Sequence, residues 1–122
     1  MAKLDDVAAL RTARLTTVGR KSGVERTAEV WFVVDGETIV VQAGEKGQKG
    51  WYVNVQANPR VKIELGARSF EGRAEILAAA DEQERTAKLM RDKYWLARVA
   101  RWFGSGIGRG KPVRIRLADR NG

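Results

Sequence analysis

Hydrophobic and polar residues alternate in several short segments, and this period of two predicts strands. The Asp35-Gly36 pair is typical of a two-residue hairpin turn, so the strands on either side of it are expected to pair antiparallel. The segment before this turn is apolar on both faces, which predicts that other elements cover both faces. The six predicted strands are Arg11–Val18, Thr27–Val34, Thr38–Ala43, Val61–Leu65, Ser69–Ala78 and Val113–Leu117.

Two further segments are predicted to be helical. The first runs from about Trp51 to Ala57 and ends at Asn58-Pro59, because the residue before a proline leaves the α region. The second begins near Asp81, an N-cap candidate that has Glu84 three residues later. The pattern therefore predicts one α+β domain over residues 1–122, a β-barrel of about six mostly antiparallel strands with a short inserted helix and a longer late helix.

Composition narrows the chemistry that this chain can perform. It has 122 residues, of which 43% are hydrophobic and 31% charged, as in ordinary globular proteins. It contains no cysteine and no histidine, which excludes disulfides, thiolate nucleophiles, Ser-His catalysis and imidazole metal sites. Any reaction is therefore expected to depend on a bound cofactor or on carboxylates, lysines and tyrosines, with no metal.

Neither a membrane span nor a signal peptide is visible, since no apolar run approaches the roughly 20 residues that cross a bilayer. A cytoplasmic location is therefore expected. The net charge of +8 indicates an acidic partner, which could be nucleic acid, an anionic membrane or a charged small molecule. We expect no nucleic-acid binding, because no reading motif is present. Weak membrane-surface contact stays open through Trp95 and Trp102, which have arginines nearby.

The segment TTVGRKSGVER carries the strongest chemical signal. Gly19 and Gly23 lack a Cβ, so the backbone between them can turn tightly and bring its N–H groups close to an anion. We call residues 19–26 the cationic bend. Its cations are Arg20, Lys21 and Arg26. A basic hairpin that only faces solvent is the alternative interpretation.

A second segment, WYVNVQANPRV, begins at Trp51. The two segments, in this order and at this spacing, resemble the deazaflavin-dependent nitroreductase family over roughly Arg14 to Leu77. The resemblance implies a split β-barrel related to flavin-nucleotide-binding oxidoreductases. It also implies coenzyme F420, a deazaflavin with a phosphate and an oligoglutamate tail, and hydride transfer from the reduced coenzyme to an enone, quinone or nitro compound.

The same resemblance implies the site residues. The phosphate and tail would be held by Arg20, Lys21, Ser22 and Arg26, with Lys49 assisting. The ring would lie against Gln42, Ala43 and Gly44, beside the helix that carries Trp51 and Asn54. Tyr94 and Trp95 are candidate substrate contacts, and Tyr94 is the candidate proton donor. Packing in the core is the alternative role of Trp51, Tyr94 and Trp95.

Two other functions stay open at this point. A barrel of this kind could bind a cofactor or a lipid without turnover, or it could be an oxidoreductase that uses FMN. A homodimer is compatible with the resemblance.

Overall fold

The computed structural model describes residues 4–19, 21–43, 49–96 and 111–118. These residues form seven strands and two helices. The strands are β1 (Ala13–Val18), β2 (Glu25–Val30), β3 (Phe32–Asp35), β4 (Thr38–Ala43), β5 (Arg60–Leu65), β6 (Arg68–Ile76) and β7 (Lys111–Leu117). The helices are α1 (Lys49–Ala57), between β4 and β5, and α2 (Ala80–Leu96), between β6 and β7.

All seven strands belong to one sheet, in the order β2-β1-β5-β6-β7-β4-β3. Every neighbouring pair is antiparallel. The strands at the two edges, β2 and β3, are consecutive in the chain and are separated by Trp31 alone. Because one residue spans only about 3.5 Å, the two edges must meet there. The sheet therefore curls into a half-barrel, consistent with a split barrel.

The prediction of one strand over Thr27–Val34 is wrong, and this explains why the sheet has seven strands and not six. Residues 25–30 pair with β1, whereas residues 32–35 pair with β4 on the opposite edge of the sheet. Each of the other five predicted strands is present with slightly shifted ends, and both predicted helices are present. α2 begins at Ala80, so Asp81 lies inside its first turn and is not its N-cap.

The inner face of the curled sheet holds the main hydrophobic core. Alternate residues of the strands point inward and are fully buried, and α1 adds Trp51 and Val55 to the same cluster. The fully buried strand residues include Leu15, Phe32, Ile39, Val41, Ile63, Leu65, Val113 and Ile115. α1 therefore packs inside the curl, where its position depends on the core.

α2 covers part of the outer face. Val33 and Val40 point outward from β3 and β4 and pack against Met90 of α2, with Trp31 and Leu89 at the margin. This confirms that the strand before the hairpin turn is covered on both faces. Neither helix in the described part of the chain is long and apolar enough to cross a membrane.

An ion network fastens α2 to the sheet. The Asp35 carboxylate accepts two 2.8 Å hydrogen bonds from Arg85 of α2 and one of 2.9 Å from Arg114 of β7. Arg114 is buried, and it also donates to Thr38 at 2.7 Å and to Glu82 at 3.1 Å. The hydrogen bonds from Arg85, together with those from Arg114, hold the pKa of Asp35 below its usual value, although burial opposes the shift.

Gly72 of β6 lies where β7 leaves no room for a side chain. A Cβ at this position would lie 2.8 Å from the Arg116 carbonyl oxygen and 2.9 Å from Ile115 Cγ2. A strand glycine of this kind is typical of a bend at a barrel corner, where two backbones come close. The packing of β6 against β7 at this position therefore requires a residue without a side chain.

We expect Gly72→Ala to lower the free energy of unfolding by about 1–3 kcal/mol, because the added methyl group meets backbone atoms that can move only with the strand. Urea denaturation measures the change. Gly50→Ala is the matched control, since a Cβ there meets nothing within 4 Å. Replacing a helical glycine should leave stability unchanged or raise it by up to about 1 kcal/mol. Equal stability of the Gly72→Ala variant and the wild type would contradict the tight packing.

We expect Asp35→Asn to lower the free energy of unfolding by about 2 kcal/mol at pH 7, because it removes charged hydrogen bonds to a buried arginine. The folded-state pKa of Asp35 lies below its ordinary value of 3.8. Its stabilisation is therefore present above that value and is lost as pH falls through the folded pKa. Denaturation of both proteins from pH 7 to pH 3 should show their difference shrinking below about pH 4. A difference that does not depend on pH would contradict the ion pair.

Candidate functional site

A cavity of about 480 Å³ lies where β1 runs into the cationic bend, and we call it the bend cavity. Its walls come from the end of β1, the bend, the start of β2 and the first turns of α1. The lining residues are Thr17, Gly19, Lys21, Ser22, Arg26, Thr27, Ala28, Gly50, Trp51 and Asn54. The two segments that carry the family resemblance therefore meet in one place.

The backbone of the cationic bend is fixed by its own hydrogen bonds. The Gly19 N–H donates to the Val24 carbonyl at 2.8 Å, and the Gly23 N–H donates to the Gly19 carbonyl at 2.9 Å. Gly23 has a φ of 73°, a left-handed conformation that favours glycine. Ser22 Oγ accepts the Val24 N–H at 3.1 Å. The bend therefore holds Lys21 and Ser22 at the tip of a defined turn.

The side wall of the cavity continues the inner face of the sheet. Arg26 is paired directly with Thr17, and Ala28 with Leu15, so these four side chains share the inner face. Leu15 and Thr17 are fully buried, whereas Arg26 is exposed. Along these two strands the inner face changes from apolar to polar to cationic as it approaches the bend.

The floor of the cavity comes from α1. Trp51 and Asn54 lie three residues apart and so share one face of the helix. Asn54 is 6% exposed, and its Nδ2 donates to Thr17 Oγ1 at 3.1 Å. Trp51 is 5% exposed, and within the described residues its Nε1 is buried without a hydrogen-bond partner. Buried indole N–H groups usually have a partner, so this donor requires an explanation.

The structure brings five of the sequence-predicted site residues together in the bend cavity: Lys21, Ser22, Arg26, Trp51 and Asn54. Gln42 is placed elsewhere, because it points to the outer face and lines a separate cavity beside α2 with Thr86 and Met90. Arg20 and Gly44 lie outside the described residues, as do the side chains of Ala43, Lys49, Tyr94 and Trp95. Trp102 also lies outside them.

Thr17 lines the site although it was not predicted to. The signal that could have found it is strand alternation, since Thr17 follows Ala13 and Leu15 on the inner face of β1. Thr17 is the polar residue among these three and the one next to the bend. Its hydroxyl accepts the hydrogen bond that orients Asn54.

Lys93 is not among the residues that line the bend cavity, but its buried position was also not predicted. Its Nζ donates to the Phe32 carbonyl at 2.9 Å and lies 3.5 Å from the centre of the Phe32 ring. Burial lowers the pKa of Lys93 to about 8. The buried side of α2 carries residues at helical spacing, namely Thr86, Met90 and Lys93. The helical period of the sequence could therefore have predicted that Lys93 faces the sheet.

Among the described residues no group of carboxylates is arranged to hold a metal ion. The bend cavity instead joins exposed cations at its rim to neutral donors at its floor. This combination suits an organic ligand that has a charged end and an uncharged end. The curled antiparallel sheet makes the protein a split barrel, and the bend cavity is its candidate ligand site.

The chain belongs to the F420H(2)-dependent quinone reductase family, whose model matches residues 6–117. An F420H(2)-dependent quinone reductase of Mycobacterium tuberculosis strain H37Rv is 36% identical over 59 residues. That match covers 46% of this chain and 40% of the relative, so the chain matches less than half of the relative's length.

Solved structures share the fold. An F420H2-dependent reductase, FDR-A, has a TM-score of 0.69 at 24% identity, over 87% of this chain and 94% of that one. A second solved structure, described only as a domain-swapped dimer, has a TM-score of 0.66 at 25% identity, over 89% of this chain and 81% of that one. At 24% identity, the similarity to FDR-A supports the fold alone.

We expect Thr17→Val to lower the free energy of unfolding by about 1–3 kcal/mol, because it leaves a buried Asn54 amide hydrogen without its acceptor. Thr16→Val is the matched control on the other face of β1. Thr16 Oγ1 shares a 2.7 Å hydrogen bond with Thr27 Oγ1 in an exposed place, where water can replace it. Chemical denaturation compares the two variants. If both substitutions lower the free energy of unfolding by the same amount, the buried hydrogen bond between Asn54 and Thr17 contributes no more than the exposed one.

Proposed function

We propose that this protein is an oxidoreductase that binds coenzyme F420 in the bend cavity and transfers hydride from the reduced coenzyme to an electron-poor acceptor of the quinone type. Family membership supports the choice of coenzyme. The observation that carries the proposal is the cavity itself, which unites Lys21, Ser22 and Arg26 with Trp51 and Asn54.

The rim fits the anionic part of the coenzyme. A phosphate and several carboxylates require separated cations, and an arginine offers a planar fork where a lysine offers a point charge. Lys21 and Arg26 are both exposed at the cavity. Each charge-assisted hydrogen bond contributes about 1.5–3 kcal/mol, so three of them supply a large part of the roughly 8 kcal/mol that micromolar binding requires.

The floor fits the uncharged part. A deazaflavin ring carries carbonyl oxygens, and the unpartnered indole N–H of Trp51 is a donor for such an acceptor. When bound and reduced, the coenzyme supplies the hydride. The protein's own task is to orient the ring and the acceptor and to keep water away, and the buried Thr17, Trp51 and Asn54 form the dry part of the cavity.

Other parts of the proposal rest on the sequence. Since the chain has no histidine and no cysteine, we propose that the completing proton comes from solvent or from Tyr94, with Trp95 contacting the acceptor. We propose a homodimer as the assembly, supported by the domain-swapped dimer among the similar structures.

We expect purified protein to bind coenzyme F420 with micromolar affinity, measured by the fluorescence of the deazaflavin during titration. Lys21→Ala and Arg26→Ala should each weaken binding by about 10- to 100-fold, because each removes a charge-assisted hydrogen bond. Arg14→Ala is the matched control. Arg14 is an exposed cation of β1 on the outer face, 3.7 Å from Glu64, and its loss should leave affinity unchanged.

Turnover is tested with the same preparation. Reduced coenzyme should be oxidised on addition of a soluble quinone, and the rate should fall in proportion to occupancy in Arg26→Ala. Binding without oxidation across quinones, enones and nitroarenes would favour a non-catalytic carrier. Absence of coenzyme F420 binding, with FMN bound instead, would contradict the proposal and favour the flavin alternative.

A further inference from the structure

Lys93 joins parts of the structure that lie on opposite faces of the sheet. It belongs to α2, which packs on the outer face through Met90. Its Nζ nevertheless lies 3.5 Å from the centre of the Phe32 ring, and that ring is part of the inner core. The same Nζ donates to the Phe32 carbonyl at 2.9 Å. Because β3 is an edge strand, the Lys93 side chain reaches around this edge from the outer helix to the inner core.

Packing alone does not account for a lysine at this position. Burial lowers the pKa of Lys93 to about 8, which means that the surroundings disfavour the charged form. A methionine would have a similar length and would contact Phe32 without that cost. The ammonium group instead gains an attraction to the face of the ring and a charged hydrogen bond to a backbone carbonyl. Both contacts are directional, so they fix where the end of α2 lies relative to β3.

The end of α2 is the part of the helix that carries the proposed acceptor contacts. The helix runs to Leu96, and Tyr94 and Trp95 follow Lys93 directly in the chain. At 1.5 Å per residue, both lie within about 3 Å of Lys93 along the helix axis. Contacts that fix the backbone at Lys93 therefore also fix the backbone at Tyr94 and Trp95.

We infer that Lys93 is a positioning residue for the acceptor: its ammonium group, bound to Phe32, holds the end of α2 against β3 and so sets where Tyr94 and Trp95 meet the acceptor. This inference rests on the proposed function. Lys93 does not line the bend cavity, so it has no share in binding the coenzyme. The affinity for the acceptor should therefore depend on Lys93, and the affinity for the coenzyme should not.

The charge of Lys93 changes within the pH range of an ordinary assay. The described charged groups on the surrounding elements have other partners. These pairs are Asp35 with Arg85 and Arg114, Asp92 with Lys88, and Glu29 with Thr12. Carboxylates, arginines and exposed lysines keep their charge between pH 7 and pH 9. Over that range Lys93 is therefore the described group at this position whose charge changes.

Steady-state kinetics at saturating reduced coenzyme, with a soluble quinone as the acceptor, measure the effect. Lys93→Met should raise KM for the quinone about tenfold at pH 7 with little change in kcat, because the acceptor loses binding and the hydride donor is unchanged. Coenzyme affinity, measured by deazaflavin fluorescence, should stay the same. Lys93→Arg keeps a charged donor and should restore most of the lost affinity for the quinone. Lys88→Met is the matched control, since Lys88 is an exposed lysine of α2 that pairs with Asp92 at 3.1 Å.

The pH profile separates positioning from packing. In the wild type, KM for the quinone should rise as pH passes through about 8 and Lys93 loses its charge. Lys93→Arg should keep a low KM up to pH 9, and Lys93→Met should have a high KM throughout. Stability should change in the opposite direction. Since the folded-state pKa lies below the ordinary value of 10.5, the wild type should gain stability relative to Lys93→Met above about pH 8.

The failures are distinguishable. An equal KM in the wild type and Lys93→Met from pH 7 to pH 9 overturns this inference and leaves the proposed function intact. Loss of coenzyme affinity and stability together in Lys93→Met also overturns it, because the lysine then supports the whole fold. If Lys93→Met does not fold, the pH profiles of the wild type and Lys93→Arg still decide the question. If the wild type does not bind the coenzyme or does not oxidise it, the proposed function fails and this inference fails with it.

Discussion

The structure depends on one constraint, the single residue that joins the two edges of the sheet. β2 and β3 occupy opposite ends of the strand order, yet Trp31 alone separates them in the chain. A flat seven-stranded sheet would place its edges about 29 Å apart, since neighbouring strands lie near 4.8 Å. The sheet must therefore curl, which creates one enclosed inner face for the core and one outer face on which α2 packs.

The candidate site lies at one end of the same inner face. The inward-pointing residues are apolar near Trp31, where Val30 and Ala28 lie, and toward the bend they become the polar Thr17 and the cationic Arg26, which are paired with each other. α1 closes the same space with the buried side chains of Trp51 and Asn54. The rim and the floor of the bend cavity are thus two ends of one continuous surface, and the closure of the sheet holds them in register.

Much of this arrangement could be predicted from the sequence, because alternation of apolar and polar residues is a local signal. The break at Trp31 could not, since the alternation runs through it unchanged and only the choice of pairing partner differs. The two motif segments lie far apart in the sequence, and the structure brings their Lys21, Arg26 and Trp51 to the same cavity. Gln42 was expected beside them from the family resemblance, but its outward position in β4 places it beside α2. The unpaired state of Trp51 Nε1 has no local signal at all, because it is a property of the packed structure.

Exposed cations and buried neutral donors differ in what they contribute to the recognition of a ligand. Exposed cations such as Lys21 and Arg26 attract many anions, and water and salt weaken their interactions, so they provide affinity with little discrimination. A buried neutral donor attracts little from a distance, yet it penalises every ligand that leaves it unpaired. The chain has no histidine and no cysteine, so imidazole and thiolate chemistry add nothing to this discrimination. The bend cavity combines the two kinds of group, with Lys21 and Arg26 exposed at its rim and, among the described residues, the buried Trp51 Nε1 without a hydrogen-bond partner.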